Sequence, residues 1–186
     1  MRRVLPIAVV TVWLVAAGVL IGFALESWIG DDAPATPATL TLKELLPQAP
    51  QAVEETRLAL IAAAESGDNE AVRALIPTEG GFTYTFGGPV EGGPIAYWQE
   101  LERTTDERPL ETLAAILKMP YVLSRGVYVW PRAYTATSAA DLSPSERELL
   151  APLGKLKTLF VPGTGYLGWR AGIAPDGSWV FFVAGD

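Results

Sequence analysis

Carboxylates are the acid–base groups this chain of 186 residues has in quantity: 21 Asp and Glu stand against 14 Lys and Arg, with no His and no Cys. Without His there is no Ser–His triad, no imidazole proton carrier and no His-based metal site. Without Cys there is no thiol nucleophile, Cys-ligated zinc or iron–sulfur cluster, and no disulfide to support an exported domain. The catalytic chemistry left is a carboxylate pair, as in glycoside hydrolysis, which needs two such groups facing each other across a cleft. Glu100 with Glu102, and Asp106 with Glu107, are close in sequence but point in different directions on a helix. Glu54–Arg57 and Glu70–Arg73 have the spacing of ordinary helix-face ion pairs. No catalytic residue, metal ligand or cofactor is therefore expected, and a cell-wall glycan hydrolase stays as the alternative.

Binding chemistry has better candidates. Arg170 sits in the middle of a predicted strand beside Trp169 and on the same face as Tyr166. In a concavity its guanidinium could hold a carboxylate or phosphate through two parallel hydrogen bonds. The plainer expectation puts Arg170 on the solvent face or against a structural Asp or Glu. Tyr84, Tyr128 and Tyr166 are the aromatics most suited to show a polar edge, while most Trp and Phe are expected in the core. The loop Gly87–Gly93 lacks the Lys and Ser or Thr of a phosphate cradle. Pro94 follows it and Glu91 would repel phosphate, so it reads as a connection before a helix.

The elements that must position these residues alternate between helix and strand signals. Residues 51–64 predict a helix opened by Pro50 and stopped by Gly67, and Asp68 caps a second that runs to Pro77. This helix–turn–helix is similar to half of an ankyrin repeat, without recurrence at that repeat's period. Phe82–Phe86 alternates aromatics with Thr and predicts a strand. Pro94 and Pro109 each open a helix, the second carrying Leu110, Leu113, Ile116 and Leu117 as far as Pro120. Val127–Trp130 predicts a strand, Ser143-Pro144-Ser145-Glu146 a capping box, and Thr158–Val161 another strand. Tyr166–Ile173 and Ser178–Ala184, joined by Pro175-Asp176-Gly177, predict a hairpin with Trp179, Phe181 and Val183 on one face. The fold class is α+β: helices on a small antiparallel sheet that ends in a β-hairpin.

Ahead of this domain stands a membrane signal. Residues 1–3 form a basic stub, and residues 4–25 hold no charged side chain. As a helix, those 22 positions reach about 33 Å, enough to span a hydrocarbon core of roughly 30 Å. Arg2 and Arg3 precede the segment while Glu26, Asp31 and Asp32 follow it, so the N-terminus is expected in the cytoplasm. A cleaved signal peptide is the other reading, with small-residue sites at Gly22-Phe23-Ala24 and Ala33-Pro34-Ala35. Residues 26–41 read as a tether and 42–186 as the exported domain. Removing residues 1–25 leaves 12 basic against 21 acidic residues, a net charge of −9. That surface repels phosphate backbones, which excludes nucleic acid as a partner.

The early helix pair and late hairpin resemble, in element order, the cone-shaped fold of the nuclear transport factor two-like superfamily, which implies a small-molecule pocket. The segments FTYTFGG, YVWP and YLGWRAGIAPDGSWVFFVAGD resemble those of uncharacterised bacterial envelope proteins, a likeness that brings no activity with it. Taken together, the expectation is a bacterial inner-membrane protein held in the bilayer by residues 4–25. Its periplasmic domain would bind an envelope protein or small ligand without catalysis.

Overall fold

The computed structural model describes residues 48–185. The stub, the apolar segment 4–25, the tether and the expected domain start at 42 lie outside the described residues. Helix α1 (Gln51–Ser66) begins at Pro50, whose carbonyl accepts the Glu54 amide at 3.1 Å. It ends at Gly67 with φ 68°, a left-handed cap that a side chain would strain. Asp68 then caps α2 (Asn69–Arg73) by accepting the Glu70 amide at 2.8 Å, and this helix stops short of the predicted Pro77. Helix α3 covers Gly93–Thr104 and α4 covers Pro109–Leu117. Leu110, Leu113, Ile116 and Leu117 of α4 are all buried, each contributing about 1.5–3 kcal/mol over an exposed position.

The main sheet is antiparallel with strand order β1 (Val122–Ser124), β2 (Val127–Trp130), β5 (Arg170–Ile173), β6 (Trp179–Val183). Between its halves run α5 (Pro144–Leu150), the single turn α6 (Leu156–Leu159) and a separate ribbon of β3 (Phe160–Val161) with β4 (Gly165–Tyr166). The capping box forms as read: Glu146 accepts the Ser143 amide at 2.9 Å and Ser143 accepts the Glu146 amide at 3.3 Å. Register places Tyr128, Trp130, Ala171, Ile173 and Phe182 on one face of the sheet. With α1 and α4 packed on β5, these residues join the helices in a single core, centred on Trp98, Trp179 and Phe182.

Four expectations need correction. Phe82–Phe86 is not a strand: Thr83 alone bridges Phe181, in parallel, exchanging hydrogen bonds of 3.0 and 2.9 Å with Val180 and Phe182. Gly80 and Gly81 before it, and Gly88 after it, all have positive φ and turn the chain away from the sheet edge. Thr158–Val161 is a strand only at its end, because Leu156–Leu159 closes a helical turn first. Tyr166 belongs to the β3–β4 ribbon and not to the hairpin, whose strand starts at Arg170. Within the hairpin the register shifts at Gly172/Ile173, so Ile173 faces Trp179 and Val180 has no opposite. Trp179 therefore shares the helix-facing side with Phe182, while Phe181 and Val183 lie on the other. Glycine at 172 suits this arrangement, since a Cβ there would meet the Phe181 ring at 2.3 Å.

The turn of the hairpin is anchored on α1. The Thr56 hydroxyl donates to the Gly177 carbonyl at 2.7 Å, and Asp176 accepts the Ser178 amide at 2.9 Å.

Candidate functional site

The four residues singled out from sequence do not form one constellation. Tyr84 serves the glycine-rich loop: its phenol oxygen accepts the Val90 amide at 2.8 Å, and its ring lies 5.8 Å from that of Tyr97. Tyr128 is buried on β2, edge-on to Tyr121 at 5.5 Å. Tyr166 is also buried, and shows no polar edge: its hydroxyl donates to the Trp169 carbonyl at 3.1 Å, closing the Tyr166–Trp169 bend. Burial pushes the Tyr166 phenol well above the usual tyrosine range, and the positive charge of Arg170 recovers only part of that shift. Tyr166 and Arg170 are thus neighbours, while Tyr84 and Tyr128 sit elsewhere.

Arg170 follows neither of the plain expectations. It opens β5 opposite Val183 and is only 9% exposed, yet no carboxylate among the described residues pairs with it. Its Cζ lies 5.5 Å from the centroid of the Phe86 ring and 5.7 Å from that of Tyr134. The Nη1 atom is buried and has no hydrogen-bond partner. Phe86 and Tyr134 were not foreseen beside Arg170. Phe86 has the alternation of a strand in the sequence, and Tyr134 sits in a 3-10 turn (Arg132–Thr135) with no periodic signal.

Larger concavities flank α4. One, of about 420 Å³, lies between the α3–α4 connection, α4, the 151–153 turn and the Trp169 indole. The second, of about 540 Å³, lies between the end of α1, Glu102 of α3 and the same helix. The two share Glu111 and Ala115. Among the described lining residues, five carboxylates, Glu65, Glu102, Asp106, Glu107 and Glu111, outnumber two cations, Arg108 and Lys118, and Lys118 is already paired with Glu65. Trp169 donates its indole N–H to Glu107 at 2.8 Å and stacks on Phe182 at 4.5 Å, so the indole fixes the α3–α4 connection against the sheet. Pro152 and Leu153 add an apolar wall. Of the carboxylates prominent in the sequence, Asp106 and Glu107 line the first concavity and Glu102 the second; what the sequence hid is that Trp169 reaches across 62 positions to Glu107.

None of the carboxylates with a displaced pKa is placed for acid catalysis. Asp141 and Asp176 are held below the usual range by hydrogen bonds, from the Thr137 hydroxyl first at Asp141 and the Ser178 amide first at Asp176. At Glu146 burial raises the pKa, and hydrogen bonds from Ser143 and Arg132 outweigh it. All three are turn or helix caps, and a general acid needs the opposite displacement. Among the described residues no group of His, Cys, Asp and Glu is arranged to hold a metal ion, and no helix is long and apolar enough to cross a membrane. The expected bilayer contact through residues 4–25 falls outside the described residues.

Helices on a small antiparallel sheet with a C-terminal hairpin establish the α+β class. Compared with known proteins, the chain matches no family model, no curated protein and no solved structure.

Proposed function

We propose that this chain is a single-pass protein of a bacterial inner membrane whose exported α+β domain binds a cationic segment of an envelope protein and carries out no catalysis. The observation that carries the reading is the pair of acidic clefts along α4, which share Glu111 and of which the one at the α3–α4 connection is walled by Trp169. A Lys or Arg side chain laid there would set its aliphatic stem against Pro152, Leu153 and the indole, with its charge among Asp106, Glu107 and Glu111. Each partly solvated ion pair contributes only about 0.2–1 kcal/mol, so recognition requires several basic residues acting together. The −9 charge of the exported part favours such a partner and holds the domain away from anionic lipid. The apolar segment at residues 4–25 and the likeness of the aromatic segments to envelope proteins support the location.

Binding is tested with the full chain in detergent micelles and two fluorescent peptides, one Lys-rich and one Glu-rich. The Lys-rich peptide binds, its affinity falls as salt is raised, and Glu111→Lys weakens it about tenfold, equivalent to about 1.4 kcal/mol. Equal affinity for the two peptides, or no effect of the substitution, overturns the reading. So does release of sugar from cell-wall glycan by the wild-type chain that Glu111→Gln abolishes, which would make the cleft an active site. Location is read separately: the chain must resist carbonate extraction, and its domain must be cut by protease added to spheroplasts.

A further inference from the structure

We infer that Arg170 anchors a second binding site, distinct from the α4 clefts, that takes a carboxylate-bearing small ligand beneath Phe86. A guanidinium offers five in-plane N–H donors and two π-faces. Phe86 and Tyr134 supply aromatic faces at 5.5 and 5.7 Å, which offsets part of the charge's burial. Rings do not satisfy N–H groups in the guanidinium plane. Nη1 is buried without an acceptor, in a side chain nine-tenths removed from water and with no acidic partner among the described residues. A lone buried charge of this kind is costly, and the group that best completes it is a planar oxyanion matching the fork with two oxygens.

The surroundings choose the anion and its route. Tyr166, whose phenol is pushed up by burial, stays neutral at physiological pH and donates its hydroxyl to the Trp169 carbonyl, so it does not repel an anion. A domain whose residues 42–186 hold 12 basic against 18 acidic side chains, a net charge of −6, discriminates against dianions, so a monocarboxylate is favoured over phosphate. The aromatic faces favour a ligand whose carboxylate is carried on a ring or other apolar body. Access is through Phe86, which is 53% exposed even while its ring covers the guanidinium. Two glycines follow it, Gly88 with φ 88°, while Tyr84 pins the loop farther on at Val90. The proposed route is therefore rotation of the exposed Phe86 ring off the guanidinium.

The test uses the full chain in micelles with its arginines labelled with nitrogen-15, titrated separately with benzoate, acetate and inorganic phosphate. The side-chain Nε–H resonance that Arg170→Lys removes identifies Arg170. Benzoate is expected to shift it saturably in the millimolar range, about fivefold more tightly than acetate, with phosphate weaker than either. Phe86→Ala, a change at an exposed position that leaves the fold intact, must keep the benzoate shift and lose most of the preference over acetate. A resonance that no anion moves up to roughly 50 mM overturns the site, because that range covers the weakest affinity worth about 2 kcal/mol. Phosphate binding as tightly as benzoate overturns the carboxylate assignment. Neither result touches the α4 clefts, whose peptide binding is measured independently.

Discussion

If Arg170 is held for a ligand and not for the fold, replacing it with Met should make the domain more stable. The wild-type domain carries a guanidinium 9% exposed, without an ion pair, and with Nη1 buried and unsatisfied. One unmet buried donor costs about 1–3 kcal/mol, and desolvating a charge costs several more before any compensation. Against this stand two aromatic contacts, each contributing about 1–2 kcal/mol at a desolvated site. Met keeps the aliphatic stem and adds a favourable sulfur–aromatic contact of about 0.3–1.5 kcal/mol with the same rings. The balance favours Arg170→Met by about 1–2 kcal/mol, or a rise of roughly 3–8 °C in melting temperature for a domain of this size. The assay is urea unfolding of the full chain followed by tryptophan fluorescence, with Arg57→Met as an internal contrast. Arg57 has a carboxylate partner in Glu54 and donates to the Leu117 carbonyl at 2.9 Å, so its loss should destabilise by about 1–2 kcal/mol. If Arg170→Met lowers stability by as much as Arg57→Met does, the guanidinium is structural and the reasoning fails.

Further expectations follow from the same geometry. Gly168→Ala should destabilise by about 1–3 kcal/mol in urea unfolding, because the new Cβ would meet the buried Tyr166 ring and hydroxyl at 2.4–2.9 Å; a neutral result would mean that the Tyr166–Trp169 bend is not rigid. The Tyr166 phenol is raised from an ordinary value of 10.0, so the stability it provides is whole below pH 10 and is lost as pH climbs toward the folded-state value. One of the six tyrosines should therefore ionise only as near-UV circular dichroism collapses, and Tyr166→Phe should move that alkaline transition upward. Trp169→Phe keeps the stack on Phe182 but frees Glu107; Lys-rich peptide affinity should fall about threefold to tenfold, with the thermal midpoint lowered by only a few degrees.

Local rules made much of this fold readable. Asp68, the Ser143–Glu146 box, the Pro-opened helices and the Pro175–Gly177 turn act through neighbours a few positions away, and each sits as its residues imply. Errors arose where a distant partner decided the outcome. Phe82–Phe86 has strand-like alternation, but β6 offers it only one bridging position, and flanking glycines turn the rest into loop. The hairpin's faces were misassigned because a single unopposed residue, Val180, reverses the pleat for everything before it. β1 escaped notice because it is three residues long and is defined by pairing through Arg125 and Gly126, both at positive φ. The candidate sites divide along the same line. Arg170 stood out by its type, but its aromatic neighbours come from segments 84 and 36 positions upstream. One of the two α4 clefts depends on an indole reaching a carboxylate from far along the chain.

The central claim, that the acidic clefts receive a basic partner, is tested most directly by site-specific photo-crosslinking in cells producing the full chain. A photoreactive side chain replaces Thr112 on the cleft wall in one strain and exposed Leu123 on β1 in another. The account predicts a discrete adduct from position 112 with an envelope protein, joined through a Lys- or Arg-rich segment, lost with Glu111→Lys and absent from position 123. Adducts that are identical from both positions, or that survive the charge reversal, would contradict it.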